Sequence, residues 1–264
     1  MIFGYGTLIN PEPISLSVGT LKKPKLKEIA EISFERFDFY KTLLKITPFE
    51  YYTVLLGDHG KEQWEGFTDD YKDTLAMYGL LCADEKLSAT YCEMFDFFFV
   101  QHVIFKEGMF VILNDGYNEN SELNNESVKG VIIDKTFMQA IQMIQQVCCI
   151  YEKEEERIEN MKFKSELAKK MYEKMLKAKK EQEKIKAKKA NKDFSLPNII
   201  SAVSNRHPTI NPINVWELTV FQLIDAFGRL QVNALYDINW TRVSVWGDEK
   251  KTFDPSLWYK NNHD

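Results

Sequence analysis

What this 264-residue sequence lacks is most of the equipment of catalysis. Its four cysteines, Cys82, Cys92, Cys148 and Cys149, form no CxxC pair and show no spacing that suggests a zinc site or a disulfide framework. They are expected to be reduced and mostly buried. The four histidines, His59, His102, His207 and His263, are scattered, with no HxxxH or HxE arrangement, so a zinc hydrolase is not expected. No GxSxG elbow, GxGxxG or GxxxxGK[ST] loop is present. Paired carboxylates, Asp69 with Asp70 and Asp248 with Glu249, stand in polar turns where solvation is the default. No apolar run reaches membrane-spanning length: the densest, "FDFFFVQHVIF", is cut by Asp96, Gln101 and His102. The first residues carry neither a basic leader nor a small-residue cleavage site, so a cytosolic chain without cofactor or metal is expected.

One short motif has an enzymatic look. "FGYGTL", Phe3 to Leu8, resembles phosphate-contacting glycine turns and, more closely, the N-terminal signature of the gamma-glutamyl cyclotransferases. No strand, turn and helix context surrounds it, and the chain has none of the β-rich pattern of those enzymes. It is read as a Gly-bent edge strand.

What is present is helical periodicity and uneven charge. The composition, 44% hydrophobic and 28% charged, suffices for a sizeable core. The net charge of −5 hides an asymmetry: Tyr151 to Lys192 holds 15 Lys or Arg against 9 Asp or Glu, while the remainder holds 19 against 30. The chain is an acidic body with a basic arm. Within the arm, residues 169–192 carry 11 Lys against 3 Glu with no Pro or Gly, including Lys169, Lys170, Lys174, Lys177, Lys179, Lys180, Lys184, Lys186, Lys188 and Lys189. Glu166 with Lys170 and Glu173 with Lys177 are favourable i, i+4 pairs, which argues for a solvated helix over disorder. The arm has no Arg between 169 and 192 and just one aromatic there, Tyr172, so base readout and stacking are lacking and nucleic acid is not the expected partner.

The expected fold is mainly α in three parts. Residues 1–150 form a multi-helix domain with a small β flap at about 101–134, 151–192 the charged arm, and 193–264 a helical, Trp-rich module. Pro11, Pro13 and Pro24 bar regular helix before Pro24. From there "PKLKEIAEISFERFDFYKTLLKI" places Leu26, Ile29, Ile32 or Ser33, Phe37, Tyr40 and Leu44 on one face. Three or so helices follow up to Phe99, one capped by Thr68. "QHVIFKEGMFVIL" predicts two strands about a Gly108 turn, and "GVIID" a third after the polar 114–129 loop. A long helical signal starts at Lys135; followed by 3 and 4 spacings from Ile144 it gives an imperfect heptad, continuous to Ala190 unless it breaks in the Lys-rich part.

The strongest pattern is "NVWELTVFQLIDAFGRLQ", Asn214 to Gln231. Asn214 reads as N-cap with Glu217 closing a capping box and Ile213 and Leu218 as a staple. Leu218, Val220, Phe221, Leu223, Ile224, Phe227 and Leu230 then form a broad apolar face. Gly228 in the middle calls for compensation by close approach of another helix. Beyond it come Trp240, Trp246 and Trp258, so that with Trp216 four of the five tryptophans fall in the last 49 residues. Such a small module cannot easily hide four Trp, and Trp is enriched at contact hot spots. Trp216, Phe221, Phe227, Trp240, Trp246, Trp258 and Tyr259 are the candidate protein-binding residues, and Asp254 with Pro255 opens one more short helix.

"LKKPKLKEIAEISFERFDFYKTLL", "NVWELTVFQLIDAFGRLQ" and "WGDEKKTFDPSLWYKN" resemble the tail assembly chaperones of long-tailed phages of Firmicutes-type hosts. The resemblance spans both ends of the chain and rests on apolar patterning with a few polar anchors. It implies a non-catalytic, mainly helical protein of the infected cell's cytoplasm that coats the tape measure protein, recruits tail tube subunits and is absent from the finished virion. It points to Trp216, Leu218, Phe221, Leu223, Asp225, Phe227 and Leu230 as a shared helical core and assigns no active-site residue. The arm and the 114–129 loop have no match in that pattern, which leaves a structural tail or connector protein as the alternative. Nonspecific nucleic-acid binding through the arm is a further one, and self-association is compatible with either.

Overall fold

A computed structural model describes residues 3–117, 124, 126–150, 193–249 and 251–260. Over these the fold is mainly α with a small sheet. It divides into two compact units, the first holding residues 1–150 together with Trp216–Gln222, the second the other described C-terminal residues.

In the first unit the chain opens with a one-turn helix, α1 (Tyr5–Ile9), in place of the expected edge strand. What permits it is far away in sequence. The buried Lys23 ammonium donates to the carbonyls of Thr7 (2.5 Å) and Asn10 (2.7 Å), which the short helix leaves without intrahelical partners. A ribbon of β1 (Ile14–Ser15) and β2 (Thr20–Leu21) comes next, then α2 (Leu26–Ile32) and α3 (Phe34–Leu43). The expected single helix is thus broken at Ser33, whose φ of 76° takes it out of the helical region and lets its hydroxyl accept from Arg36 N–H at 3.2 Å. The expected face is nonetheless the buried one: Leu26, Ile29, Phe37, Tyr40 and Leu44 are all in the core.

The span up to Phe99 holds more elements than expected. α4 (Pro48–Glu50) runs into a π-helical turn (Tyr51–Leu55), followed by α5 (Gly57–Gly66), α6 (Asp69–Thr74), α7 (Met77–Ala83) and α8 (Glu85–Phe98). Thr68 caps α6 through Tyr71 N–H, and Asp84 caps α8 through Lys86 and Leu87. Burial alone would raise the Asp84 pKa, but the Tyr51 hydroxyl at 2.7 Å and these two N–H groups hold it below the usual carboxylate value.

The three expected strands are β3 (Val103–Lys106), β4 (Met109–Leu113) and β5 (Val128–Ile132), antiparallel in that order, with Phe105 opposite Phe110 and Phe110 opposite Ile132. Gly108 turns the first pair at φ 74°. The 114–129 loop is described at its base, where Asn114 N–H donates to Ser127 O and Asn124 Oδ1 accepts from Glu126 and Ser127. The core is aromatic: Phe95 lies 4.9 Å from Phe110, and Phe137 5.4 Å from Tyr78 and 5.8 Å from Tyr91. Tyr91 and Gln145 donate to the Leu43 and Leu44 carbonyls at the end of α3, both at 2.7 Å, so burial leaves neither polar group unpaired.

Helix α9 (Asp134–Val147) opens the long signal but does not carry it to Ala190. Ile150 N–H bonds to Gln145 O (2.8 Å) and Cys149 N–H to Gln146 O (3.1 Å), with Cys149 at φ 56°. This is a Schellman stop with cysteine where glycine is usual. The arm itself, with its lysines and the heptad beyond Val147, lies outside the described residues. The cysteines differ from expectation as well: all four are free, but just Cys148 is buried, while Cys82 is exposed.

The last part of the first unit is the segment Trp216–Gln222. Leu26 N–H donates to Leu218 O at 2.9 Å, Lys25 bridges to Thr219, Gln222 donates to Ile9 O at 2.9 Å, and Phe221 packs on Tyr5 at 5.8 Å. Glu217 takes Lys25 and Lys27, each at 2.7 Å. These bonds displace the expected cap. Asn214 is instead used in the preceding turn, accepting from Asn211 N–H and donating to Thr209 O, and Ile213 is 87% exposed and forms no staple. Residues Val215–Glu217 form a 3₁₀ turn, and the capping box lies further on, between Thr219 and Gln222 (3.0 and 3.3 Å).

Candidate protein-binding surface

The second unit contains α10 (Leu196–Arg206) and most of α11 (Val220–Trp246), a 27-residue helix with four charged residues, Asp225, Arg229, Asp237 and Arg242. Pro197 in the first turn of α10 costs no hydrogen bond there, and Leu196, Ile199, Ile200 and Val203 form its buried face. Gly228, expected to admit a close neighbour, does not: among the described residues a Cβ built there meets nothing within 4 Å.

The C-terminal half of α11 presents apolar side chains to solvent. Leu235, Ile238, Val245 and Trp246 are 55%, 66%, 65% and 78% exposed. At 3.6 residues per turn they fall within an arc of about 100°, with Arg242 inside it, which is the width of a face that packs on another element. On the other side of the helix Tyr236 and Trp240 stack with rings 7° from parallel, and Phe253 closes over both at 5.5 and 5.7 Å.

The chain after Trp246 is held by polar pins. Gly247 turns it at φ 74°, and the Asp248 carboxylate accepts from Phe253 N–H (2.8 Å), Thr252 N–H (2.9 Å) and the Thr252 hydroxyl (3.1 Å). These donors, Phe253 foremost, lower the Asp248 pKa and define its role as structural. Arg242 reaches Thr252 and Arg229 reaches Lys260 O at 2.8 Å, so the tail runs back along α11. Asp254 accepts from the Ser256 N–H and hydroxyl, but the expected helix opening at Pro255 does not form: the element there is a 3₁₀ turn (Leu257–Tyr259) whose N-cap is Ser256, and it leaves Trp258 and Tyr259 exposed.

The candidate binding residues are therefore divided between the two units. Trp240, Trp246, Trp258 and Tyr259 are exposed in the second unit, and Phe227 is half-buried beside Phe194 at 6.2 Å. Trp216 and Phe221 belong to the first unit, where Phe221 is buried. Sequence reasoning misses Leu235, Ile238 and Val245, although their spacing from Trp246 is readable once the helix is known to continue so far.

His102 meets Asp96 at 2.6 Å, and the same carboxylate oxygen accepts from Val103 N–H. Burial, with Asp96 nearby, pushes the Cys92 thiol up to about 11, and burial pushes Cys148 up as well, so neither is poised as a thiolate. Among the described residues no group of His, Cys, Asp and Glu could hold a metal ion. No described helix is long and apolar enough to cross a membrane.

A family model described as YomV second domain matches residues 186–263, under a third of the chain. The C-terminal part is thus similar to that domain, which supports a phage-related family without specifying a tail assembly chaperone. Neither curated proteins nor solved structures give a match.

Proposed function

We propose that the chain is a non-catalytic phage tail assembly chaperone that binds the tape measure protein and recruits tail tube subunits in the cytoplasm of the infected host. The observation that carries this reading is the exposed stripe of Leu235, Ile238, Val245 and Trp246 on α11. An apolar face interrupted by Arg242, on an otherwise weakly charged helix, suits a partner helix with a stripe of its own. A tape measure protein is long and helical, and before tube subunits enclose it such stripes need temporary cover. The similarity of residues 186–263 to YomV second domain favours a phage setting for the same part of the chain.

Co-expression with the adjacent large coiled-coil gene product tests it. The wild-type chain is expected to raise the soluble fraction of that product and to be missing from purified virions. No gain in solubility contradicts the chaperone role; presence in virions by mass spectrometry supports the structural alternative instead.

A further inference from the structure

The first unit has a separate apolar patch that the proposed function does not use. Phe49 on α4, Val54 and Leu55 on the π-helical turn, and Leu56 just after it are exposed. Phe49 belongs to a network of rings: Trp64 lies 5.4 Å from Phe49 and 5.7 Å from Tyr52, and Phe67 5.2 Å from Tyr52. Helix α5 comes close to the π-helical turn here, since a Cβ at Gly60 would stand 2.1 Å from Tyr52 O. π-helical turns are rare and concentrate at functional sites.

The surroundings of the patch are acidic. Residues 48–74 carry Glu50, Asp58, Glu62, Glu65, Asp69, Asp70 and Asp73 against Lys61 and Lys72, a net charge of −5, and the seven carboxylate residues are exposed. Both lysines are already used, Lys61 on Asp58 at 2.8 Å and Lys72 on Asp69 at 3.7 Å and over the Trp64 ring. Such a rim repels nucleic acid and anionic lipid and attracts a cationic, partly apolar segment.

We infer that this patch receives the Lys-rich segment 169–192 of a second copy of the chain. That segment has a net charge of +8, and Met171, Tyr172, Met175 and Leu176 recur at i, i+1, i+4 and i+5 with Lys170, Lys174 and Lys177 among them. Apolar residues at this spacing match the aliphatic patch, and the lysines match its rim. No other stretch of this length in the sequence is comparably basic. The contact links each chain to the next through complementary surfaces, so association grows with concentration.

Sedimentation velocity of the full-length chain at low salt is expected to show mass rising above the 30.9 kDa monomer with concentration, and falling back as salt rises. Adding a synthetic peptide of residues 169–192 should return the mass to that of the monomer. Val54→Asp with Leu56→Asp should abolish association while leaving circular dichroism and melting unchanged, because both side chains are exposed. Glu62→Lys, Glu65→Lys and Asp69→Lys in one chain, and Lys170→Glu, Lys174→Glu and Lys177→Glu in another, should each be monomeric alone and associate when mixed. A wild-type chain that stays monomeric at low salt, association that survives the Val54 and Leu56 changes, or reversed chains that fail to pair overturns the proposal. These outcomes are independent of the α11 stripe.

Discussion

Replacing Gly130 by alanine should damage the first unit more than any exposed substitution. Gly130 sits in β5 opposite Ile112, and an added Cβ would lie 2.3 Å from Val18 O, 2.6 Å from Val18 Cα and 2.7 Å from Val18 C. Relief to even 3.0 Å requires the strand and the ribbon turn to part by roughly 0.7 Å. The turn is not free to move. Thr20 N–H donates to the buried Gln101 at 2.9 Å, Val100 N–H to Thr20 O at 2.9 Å, and Lys22 N–H to Phe98 O at 2.7 Å. Because every clashing atom is backbone, no rotamer change absorbs the strain, and the cost should reach the upper part of the overpacking range, about 3 kcal/mol. For a protein of this size that is a fall of roughly 6–12 °C in the melting midpoint. Thermal unfolding followed by circular dichroism measures it. An unchanged midpoint, or rescue by Val18→Gly, which removes none of the clashing atoms, would refute the reasoning.

Gly228→Ala should act in the opposite direction, raising stability by about 0.5–1 kcal/mol, since helix propensity is gained where a Cβ meets none of the described residues; a loss of stability in denaturant melts would show that a neighbour does approach there. Glu217 gives a pH signature. Its hydrogen bonds to Lys25 and Lys27 lower its folded-state pKa from 4.5 to about 2, so its contribution is complete above 4.5 and disappears as pH falls toward 2. The difference in melting midpoint between wild type and Glu217→Gln, present at neutral pH, should close across that window, and a constant difference would contradict the pairing.

Features decided by neighbours in sequence were legible in the chain alone. The turn at Gly108 between two short apolar runs, the cap at Thr68, and the buried face of Leu26, Ile29, Phe37 and Tyr40 all depend on residues within a few positions. What escaped depends on distant partners. Helix α1 is completed by Lys23, and the start of α11 is shifted from Asn214 to Thr219 because the Leu218 carbonyl and the Glu217 carboxylate are taken by Leu26 and by Lys25 and Lys27. The stop after Val147 uses Cys149 in a conformation that local preference would assign to glycine. The candidate surface was legible only in part. Tryptophan content singled out Trp240 and Trp246, which are exposed on α11, whereas Leu235, Ile238 and Val245 emerge as one stripe with Trp246 only when the helix is known to run that far.

The central claim is that this stripe, and not a catalytic group, is what the chain offers to its partner. Leu235→Asp with Ile238→Asp tests it, because substitutions at such exposed positions should alter folding stability by no more than about 0.5 kcal/mol each. In a binding titration against the co-expressed tape measure protein, the double variant should lose affinity at least tenfold, roughly 1.4 kcal/mol, with its melting curve unchanged. Undiminished affinity in a folded double variant would contradict the account.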